Sequence, residues 1–351
     1  MFKYIGIFLI SVVIAFAVTP VAKIIAKKLG AIDVPGDERR IHKRPIPRMG
    51  GFAIYISFLV CSLLFSDFDK HVIGIIAGGT IIVIMGMLDD IKSLRPVQKL
   101  IFQIAAALIL VVFDVSVKSI TVPFFTKGGS MSIGYLGIPL TVLWVVGITN
   151  AINLIDGLDG LACGVGLIAS LTLFGVALMS GREMAMLLTV ILAGACMGFL
   201  PYNFNPASIF MGDTGSQFLG FALAAISIQG AIKSAAALAA AAPILALGLP
   251  IYDTLFAMAR RKINNRPIME ADRGHLHHRL MDMGFTQKQV VIIMYILSGI
   301  LGITAILAMG MSNKKSYLLL VVICSVVISV AIEFGVFDRK AKDANRSDNV
   351  E

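Results

Sequence analysis

Charge is what this chain has least of: Asp, Glu, Lys and Arg make up 15% of its 351 residues, against 58% hydrophobic. A soluble domain has no use for so much apolar surface, and the mean hydropathy of +0.89 points the same way. Cysteine is scarce too. Cys61, Cys163, Cys196 and Cys324 stand singly inside apolar runs, which excludes a disulfide framework or a thiolate metal site and leaves them as small packing residues. Internal repeats and low-complexity tracts are missing. So is any basic stretch interleaved with aromatics, which argues against a nucleic-acid partner. Short alternating strands, the mark of a membrane β-barrel, are absent as well.

What is there is a series of apolar runs of about 20 residues, the length of a membrane-spanning helix. With no water to satisfy the backbone, such runs are helical. Eleven spans are expected, at 4–25, 51–66, 71–88, 98–117, 137–154, 160–180, 184–201, 216–232, 235–257, 289–310 and 316–337. The fold class is therefore an all-α integral membrane protein, one polytopic domain over 1–338, with a disordered polar tail at 339–351. Basic residues set the orientation. With the N-terminus outside and the C-terminus cytoplasmic, the segments 23–48, 92–99, 260–288 and 339–346 are inside and hold 22 of the 30 Lys and Arg. Most of the net charge of +9 is then cytoplasmic. Residues 5–18 resemble a signal-peptide core, but cleavage after Ala15-Phe16-Ala17 would put the most basic segment outside, so the helix is read as retained.

Five polar islands interrupt the apolar runs, and this topology puts all five on the cytoplasmic face, in the segments 26–50, 89–97, 154–160, 202–215 and 258–288. Acids and imidazoles near lipid are costly, which makes such a gathering a functional-site candidate. Asp89-Asp90 is a carboxylate pair at a span end, able to serve as base or magnesium partner and equally an ordinary solvated helix end. In Asn153-Leu-Ile-Asp156-Gly157-Leu158-Asp159-Gly160, a helical turn would put Asp156 and Asp159 on one face, with Asn153 one turn earlier. Asp213, in Phe210-Met-Gly-Asp213-Thr-Gly-Ser, is a hard oxygen ligand for magnesium or a helix cap, and the helix start beside it suits phosphate. Tyr202-Asn203-Phe204-Asn205 offers an aromatic and amide surface for a nucleobase. His275-Leu-His277-His278 lies among six Arg and Lys residues, a setting that repels a metal and suits an anion. The cations of Arg39 through Arg48, with His42 and Lys43 among them, are extended by Pro45 and Pro47. They fit a lipid phosphate at the bilayer surface or a simple topology signal.

Taken in order, Pro47-Arg48-Met-Gly-Gly51, Asp89-Asp90, the Asn153–Gly160 motif, Tyr202 through Ser216 and the His loop resemble the polyprenyl-phosphate N-acetylhexosamine-1-phosphate transferases, glycosyltransferase family 4. Within that family the His-Leu-His-His loop and Ile155 resemble the branch that loads GlcNAc-1-phosphate onto undecaprenyl phosphate; the peptidoglycan branch usually carries three successive His. Gly274 is a small departure. The resemblance implies a reaction of UDP-GlcNAc with undecaprenyl phosphate in the plasma membrane, with the active site on the cytoplasmic face. Its product would feed a teichoic acid, an O-antigen or a similar polysaccharide. Also implied are Mg2+ on Asp213, with Mn2+ able to substitute, and Asp89 as base beside Asp90. Lys99 would contact phosphate. Asp156, Gly157, Leu158 and Asp159 would form the nucleoside-side wall, with Asn203 and Phe210 near the uracil. Arg273, His275, His277 and His278 would clamp the sugar diphosphate, and a homodimer is the candidate assembly.

A structural membrane scaffold would have no reason to hold so many acids beside a basic loop, which leaves two rivals to this reading. One is phospho-MurNAc-pentapeptide transfer, with the same chemistry on a larger donor. The other is secondary transport, whose sites lie near the bilayer midplane, whereas the polar residues here sit at span ends.

Overall fold

The computed structural model describes residues 1–34, 44–121, 130–231, 241–263 and 274–311, with scattered positions from 315 to 332. His42, Lys43, Arg273, Cys324 and the 339–351 tail lie outside the described residues, as does most of the expected span at 316–337. The chain is all-α. Its helices are α1 (Phe2–Leu29), α2 (Gly51–Phe65), α3 (Lys70–Lys92), α4 (Pro96–Val112), α5 (Gly137–Ile155), α6 (Leu161–Met179), α7 (Glu183–Asn203), α8 (Gly212–Ala231), α9 (Ala241–Ala246), α10 (Gly248–Ile263), α11 (Leu276–Asp282) and α12 (Gln287–Met309). Two short antiparallel ribbons complete it, β1 (Ile32–Asp33) with β2 (Ile46–Pro47), and β3 (Ser119–Thr121) with β4 (Ser130–Ser132).

Among the described residues six helices are long and apolar enough to cross a membrane: α1, α3, α5 with the 3-10 turn before it, α6, α7 and α12. α2 and α4 are apolar but shorter. The expected run at 235–257 is not one helix where it is described. It breaks at Leu247 between α9 and α10, where Pro243 and Pro250 remove backbone donors. α10 then continues to Ile263, because Arg260 and Arg261 of its last turn fold inward and are buried instead of ending the helix in solvent.

The packing inverts the pattern of a soluble bundle. α1 buries Ser11, Ala15, Thr19, Ala22 and Ala26 and exposes Ile5, Leu9, Val13, Phe16 and Val21. Small residues face protein and large apolar ones face outward, as expected where lipid solvates Leu as well as a neighbouring helix does. The partner surface on α7 carries Gly194 and Gly198, where a Cβ would strike Phe8 O and Val12 O of α1. Ser11 Oγ reaches Ile191 O at 2.7 Å and Ser57 Oγ at 2.8 Å, tying α1 to α7 and α2. Cys61, Cys163 and Cys196 are buried and unbridged. α8 is the axis of the bundle. It packs against α2, α3, α5, α6 and α7, with Phe218, Leu219 and Phe221 fully buried. Its first turn, at Gly212, is where the polar islands meet.

Candidate active site

Two sequence-distant motifs meet through their backbones. Phe210 N–H donates to Pro47 O at 2.8 Å, Gly50 N–H donates to Phe210 O at 2.9 Å, and Gly51 N–H donates to Met211 O at 2.9 Å. The extended course imposed by Pro45 and Pro47 thus serves to lay Arg48 beside the start of α8. Gly51 permits the contact, since its Cβ would fall on the backbone of Gly215.

α3 delivers the carboxylate pair, and its two members point to different tasks. Asp90 Oδ1 accepts from Asp213 N–H at 3.0 Å, and Asp90 Oδ2 accepts from Thr214 N–H at 3.1 Å and Thr214 Oγ1 at 2.6 Å. Asp90 therefore caps α8 from another helix, answering the free N–H groups and positive end of its first turn. Arg48 Nε stands 3.7 Å from Asp90 Oδ1, and the same guanidinium donates to the carbonyls of Asp89 and Asp90 at 3.1–3.3 Å. Asp89 Oδ1 accepts from Leu94 N–H at 2.7 Å, and Asp89 Oδ2 accepts from Lys99 Nζ at 2.8 Å. Lys99 Nζ also lies 2.7 Å from Asp213 Oδ2, so one ammonium joins two carboxylates.

The Asn153–Gly160 motif is a turn between α5 and α6, not a helical turn: α5 ends at Ile155 and α6 begins at Leu161, with Gly160 left-handed at φ +80. The expectation that a helix would set Asp156 and Asp159 on one face is corrected accordingly; spacing of three is as compatible with a turn that glycines close. The two acids differ in use. Asp159 Oδ2 accepts from Asn205 Nδ2 at 3.0 Å and Ala207 N–H at 2.9 Å, fastening the 204–208 loop. Asp156 is held well above the usual carboxylate range by burial first, then by the negative charges of Asp213, Asp90 and Asp159. Asn153 Nδ2 donates to Ser216 Oγ at 2.8 Å.

A cavity of about 1000 Å³ opens over these groups. Its wall includes Asp90, Asp156, Asp159 and Asp213, the backbone of Gly157 and Leu158, the amides of Asn153 and Asn203, and also Phe210, Arg48 and His278. Asn203 Nδ2 donates to Ile209 O at 3.1 Å, while its buried Oδ1 has no hydrogen-bond partner among the described residues. Asp89, Lys99, His275 and His277 are not on the wall; they stand behind it. His275 Nδ1 lies 2.7 Å from Asp253 Oδ2, and Leu276 N–H donates to Asp253 Oδ1 at 2.8 Å, so Asp253 of α10 anchors the His loop. Arg260 Nη1, two turns further along α10, holds Gly274 O at 2.8 Å. His277 is 1% exposed, and among the described residues neither ring nitrogen has a partner. Burial first, then the neighbouring His278, pushes its imidazole down to about 3, so it is neutral at ordinary pH. A Cβ on Gly157 would come within 2.7 Å of its Nε2.

Several wall residues had no motif to mark them. Lys23 and Lys27 of α1 line the cavity, although their sequence context reads simply as positive charge at a span end; Arg44, from the stretch expected to meet a lipid phosphate, lines it too. Gln287, likewise unmarked, lines it 2.6 Å from Asn205 of the expected amide surface.

Among the described residues no group of three or more His, Cys, Asp or Glu side chains forms a complete metal cage. Magnesium does not ask for one: it takes one or two protein carboxylates and completes its shell with water and substrate phosphates. Asp213 suits that arrangement, since Lys99 and Gln217 both donate to its Oδ2 while Asp89 stands close beside it.

A family model, glycosyl transferase family 4, matches residues 72–231. A probable undecaprenyl-phosphate N-acetylglucosaminyl 1-phosphate transferase of Bacillus subtilis is 38% identical over 344 residues, 97% of this chain and 95% of that one. The chain belongs to glycosyl transferase family 4. Two further relatives are less similar. A decaprenyl-phosphate N-acetylglucosaminephosphotransferase of Mycobacterium tuberculosis is 35% identical, covering 84% of this chain and 80% of its own. A phospho-N-acetylmuramoyl-pentapeptide-transferase of Chlorobium luteolum is 31% identical, covering 79% and 83%.

Proposed function

We propose that this chain transfers GlcNAc-1-phosphate from UDP-GlcNAc to undecaprenyl phosphate, releasing UMP and beginning a cell-envelope polysaccharide. The observation that carries this reading is a cavity in which carboxylates, amides and cations from five separate stretches of chain converge at the ends of apolar helices. The most similar of the relatives named above bears that activity in its name, and the muramoyl-pentapeptide enzyme is further away. Asp33 also lines the cavity, and Lys23, Lys27, Arg44 and Arg48 along one wall present the positive charge that phosphates require.

The chemistry is a displacement at phosphorus. A phosphate oxygen of the lipid forms a bond to the sugar-bearing phosphorus, the bond to the bridging oxygen breaks, and UMP leaves with that oxygen. A phosphate monoester is already largely ionised near neutrality, its second pKa being about 6, so alignment and charge stabilisation are the main demands on the protein. Asn203 Oδ1, an unanswered acceptor, suits an N–H of the uracil ring, with Phe210 beside it. His278 reaches the cavity for the diphosphate or sugar, and His275 and His277 support it. Asp213 would hold Mg2+, with Asp89 brought close through Lys99; the ion would supply charge neutralisation on the diphosphate oxygens. The lipid phosphate would approach by Arg48, with His42 and Lys43 as further cations of the same stretch of sequence.

The wider topology is part of the proposal: eleven spans, the N-terminus outside, and the cavity facing the cytoplasm, supported by the distribution of basic residues. The deciding experiment offers the purified protein undecaprenyl phosphate with either labelled UDP-GlcNAc or labelled UDP-MurNAc-pentapeptide, and reads label in the lipid fraction with and without magnesium. Label from UDP-GlcNAc alone is expected. Label from the muramoyl donor alone would move the chain to the other branch, and label from neither would end the reading.

A further inference from the structure

Behind Asp213 runs a line of amides that neither the reaction nor the motifs account for. Gln217, one turn into α8, donates from Nε2 to Asp213 Oδ2 at 3.1 Å. Its Oε1 accepts from Gln103 Nε2 of α4 at 2.7 Å. Gln103 Oε1 accepts from Asn150 Nδ2 of α5 at 2.9 Å, and Gln103 Nε2 is also 3.2 Å from Asn150 Oδ1. Asn150 is fixed in turn by donating to Val146 O at 2.8 Å. Gln217 and Gln103 are 0% and 1% exposed.

Carboxamides buried between apolar helices are expensive unless fully paired, and a fully paired chain of them is stiff. The register is regular. Lys99 and Gln103 are one turn apart on α4, and Asp213 and Gln217 are one turn apart on α8, so the helices meet in two rungs. The upper rung is Lys99–Asp213 and the lower is Gln103–Gln217. Both rungs bear on the same atom, Asp213 Oδ2. A carboxylate gripped at one oxygen by donors from two directions keeps its rotamer and offers the other oxygen in a fixed direction. Asn150 sets the amide orientation of Gln103, which sets that of Gln217, so that an N–H and not a C=O faces Asp213.

We infer that Gln217 is a positioning residue, held through Gln103 and Asn150, that presents Asp213 to a divalent cation. This rests on the reading of Asp213 as the metal ligand.

The test uses the double variant Gln103→Leu/Gln217→Leu, because replacing both members of a buried pair with apolar side chains of similar shape costs little stability. Gln103→Met, which leaves Gln217 in place but unheld, is the second variant and keeps the test valid should the first not fold. Metal affinity is read in two ways on the detergent-purified full chain: Mn2+ titration followed by electron paramagnetic resonance, and the Mg2+ concentration giving half-maximal transfer. Loss of an outer partner of a metal ligand typically weakens metal affinity about 10–100-fold. The double variant should shift both readings by that order and recover most of its rate at high metal, with an unfolding midpoint only modestly lowered by the donor that Asn150 Oδ1 loses. Gln103→Met should shift them less, in the same direction. A folded double variant with wild-type metal affinity overturns the inference while leaving the Asp213 assignment standing. If Asp213→Asn itself binds Mn2+ like wild type, the metal assignment fails first and the inference falls with it.

Discussion

Asp90 is the residue on which the cavity's frame depends most, and Asp90→Asn isolates that dependence. The carboxylate takes three donors at the head of α8, from Asp213 N–H, Thr214 N–H and Thr214 Oγ1, while 3% exposed. Asparagine keeps the shape but has one acceptor oxygen. Its NH2 group must face either Asp213 N–H or the Thr214 pair, which leaves at least one buried donor unanswered at a cost of about 1–3 kcal/mol. The negative charge opposite the positive end of α8 also goes, for about 0.3–1 kcal/mol and up to about 2 in a part-buried site. The sum is roughly 1–5 kcal/mol lost from the packing of α3 on α8. Asp213→Asn should behave differently. It loses Lys99 as an ionic partner but keeps its place in the helix, so transfer fails and the fold survives. The assay is thermal unfolding of both variants in mixed micelles, beside exchange of labelled UMP into UDP-GlcNAc. If Asp90→Asn unfolds at the wild-type temperature and is merely slow, the assignment of Asp90 to capping is wrong and the residue belongs to the chemistry instead.

Other consequences follow from the same geometry. Lys99→Met leaves Asp89 and Asp213 facing each other without their shared cation, and UMP exchange should fall about 100-fold or more, equivalent to about 2.7 kcal/mol of lost stabilisation; exchange within threefold of wild type would refute the bridge. Gly51→Val forces the backbones of Gly51 and Gly215 apart, and the membrane yield of folded protein should collapse, whereas Gly147→Ala, with nothing within 4 Å of the new Cβ, should express normally. His277, pushed down to about 3 from 6.5 by burial and His278, is neutral in the fold, while the unfolded chain takes up its proton below about 6.5. Its contribution to stability is therefore intact above that pH and is lost as the pH falls toward about 3, at up to roughly 1.4 kcal/mol per unit. Chemical unfolding between pH 7 and pH 5 should show this slope in wild type and a flatter one in His277→Phe; equal slopes would refute it.

The cavity was legible in sequence because acids and amides stand out against apolar helices and cluster at helix ends. Asp90, Asp156, Asp213, Asn203 and His278 all line one cavity, as that grouping leads one to expect. Secondary structure at the Asp156–Asp159 spacing was not legible: three residues apart fits a helix or a turn, and only the left-handed Gly160 decides between them. The division of labour between neighbouring acids was hidden for a different reason. Asp89 and Asp90 are adjacent and identical in type, yet one faces Lys99 and the other caps α8, because successive positions on a helix point about 100° apart and meet different partners.

The same limit explains the supporting residues. Gln103, Asn150, Gln217 and Asp253 are single polar positions inside apolar runs, each meaningful only through a partner on another helix. A motif search sees residues that are close in the chain; it is blind to a rung whose two ends are 114 residues apart. What sequence does offer is cost. An amide or carboxylate placed deep among aliphatic side chains is destabilising unless something answers it. Every such residue in a membrane helix is thus a claim that an unseen partner exists. Asp253 makes that claim in α10, and the partner is the His loop: Asp253 receives both the His275 ring and the Leu276 N–H. An Asn there has one acceptor for two donors. If its oxygen stays with the backbone N–H, its NH2 faces His275 Nδ1, which must then give up its proton to Nε2. Asp253→Asn should therefore invert the His275 tautomer without emptying the loop of its imidazoles, a change visible in the ring 15N shifts, and an unchanged tautomer would show that the Asn oxygen stays with the ring and that the Leu276 N–H is not the stronger claimant.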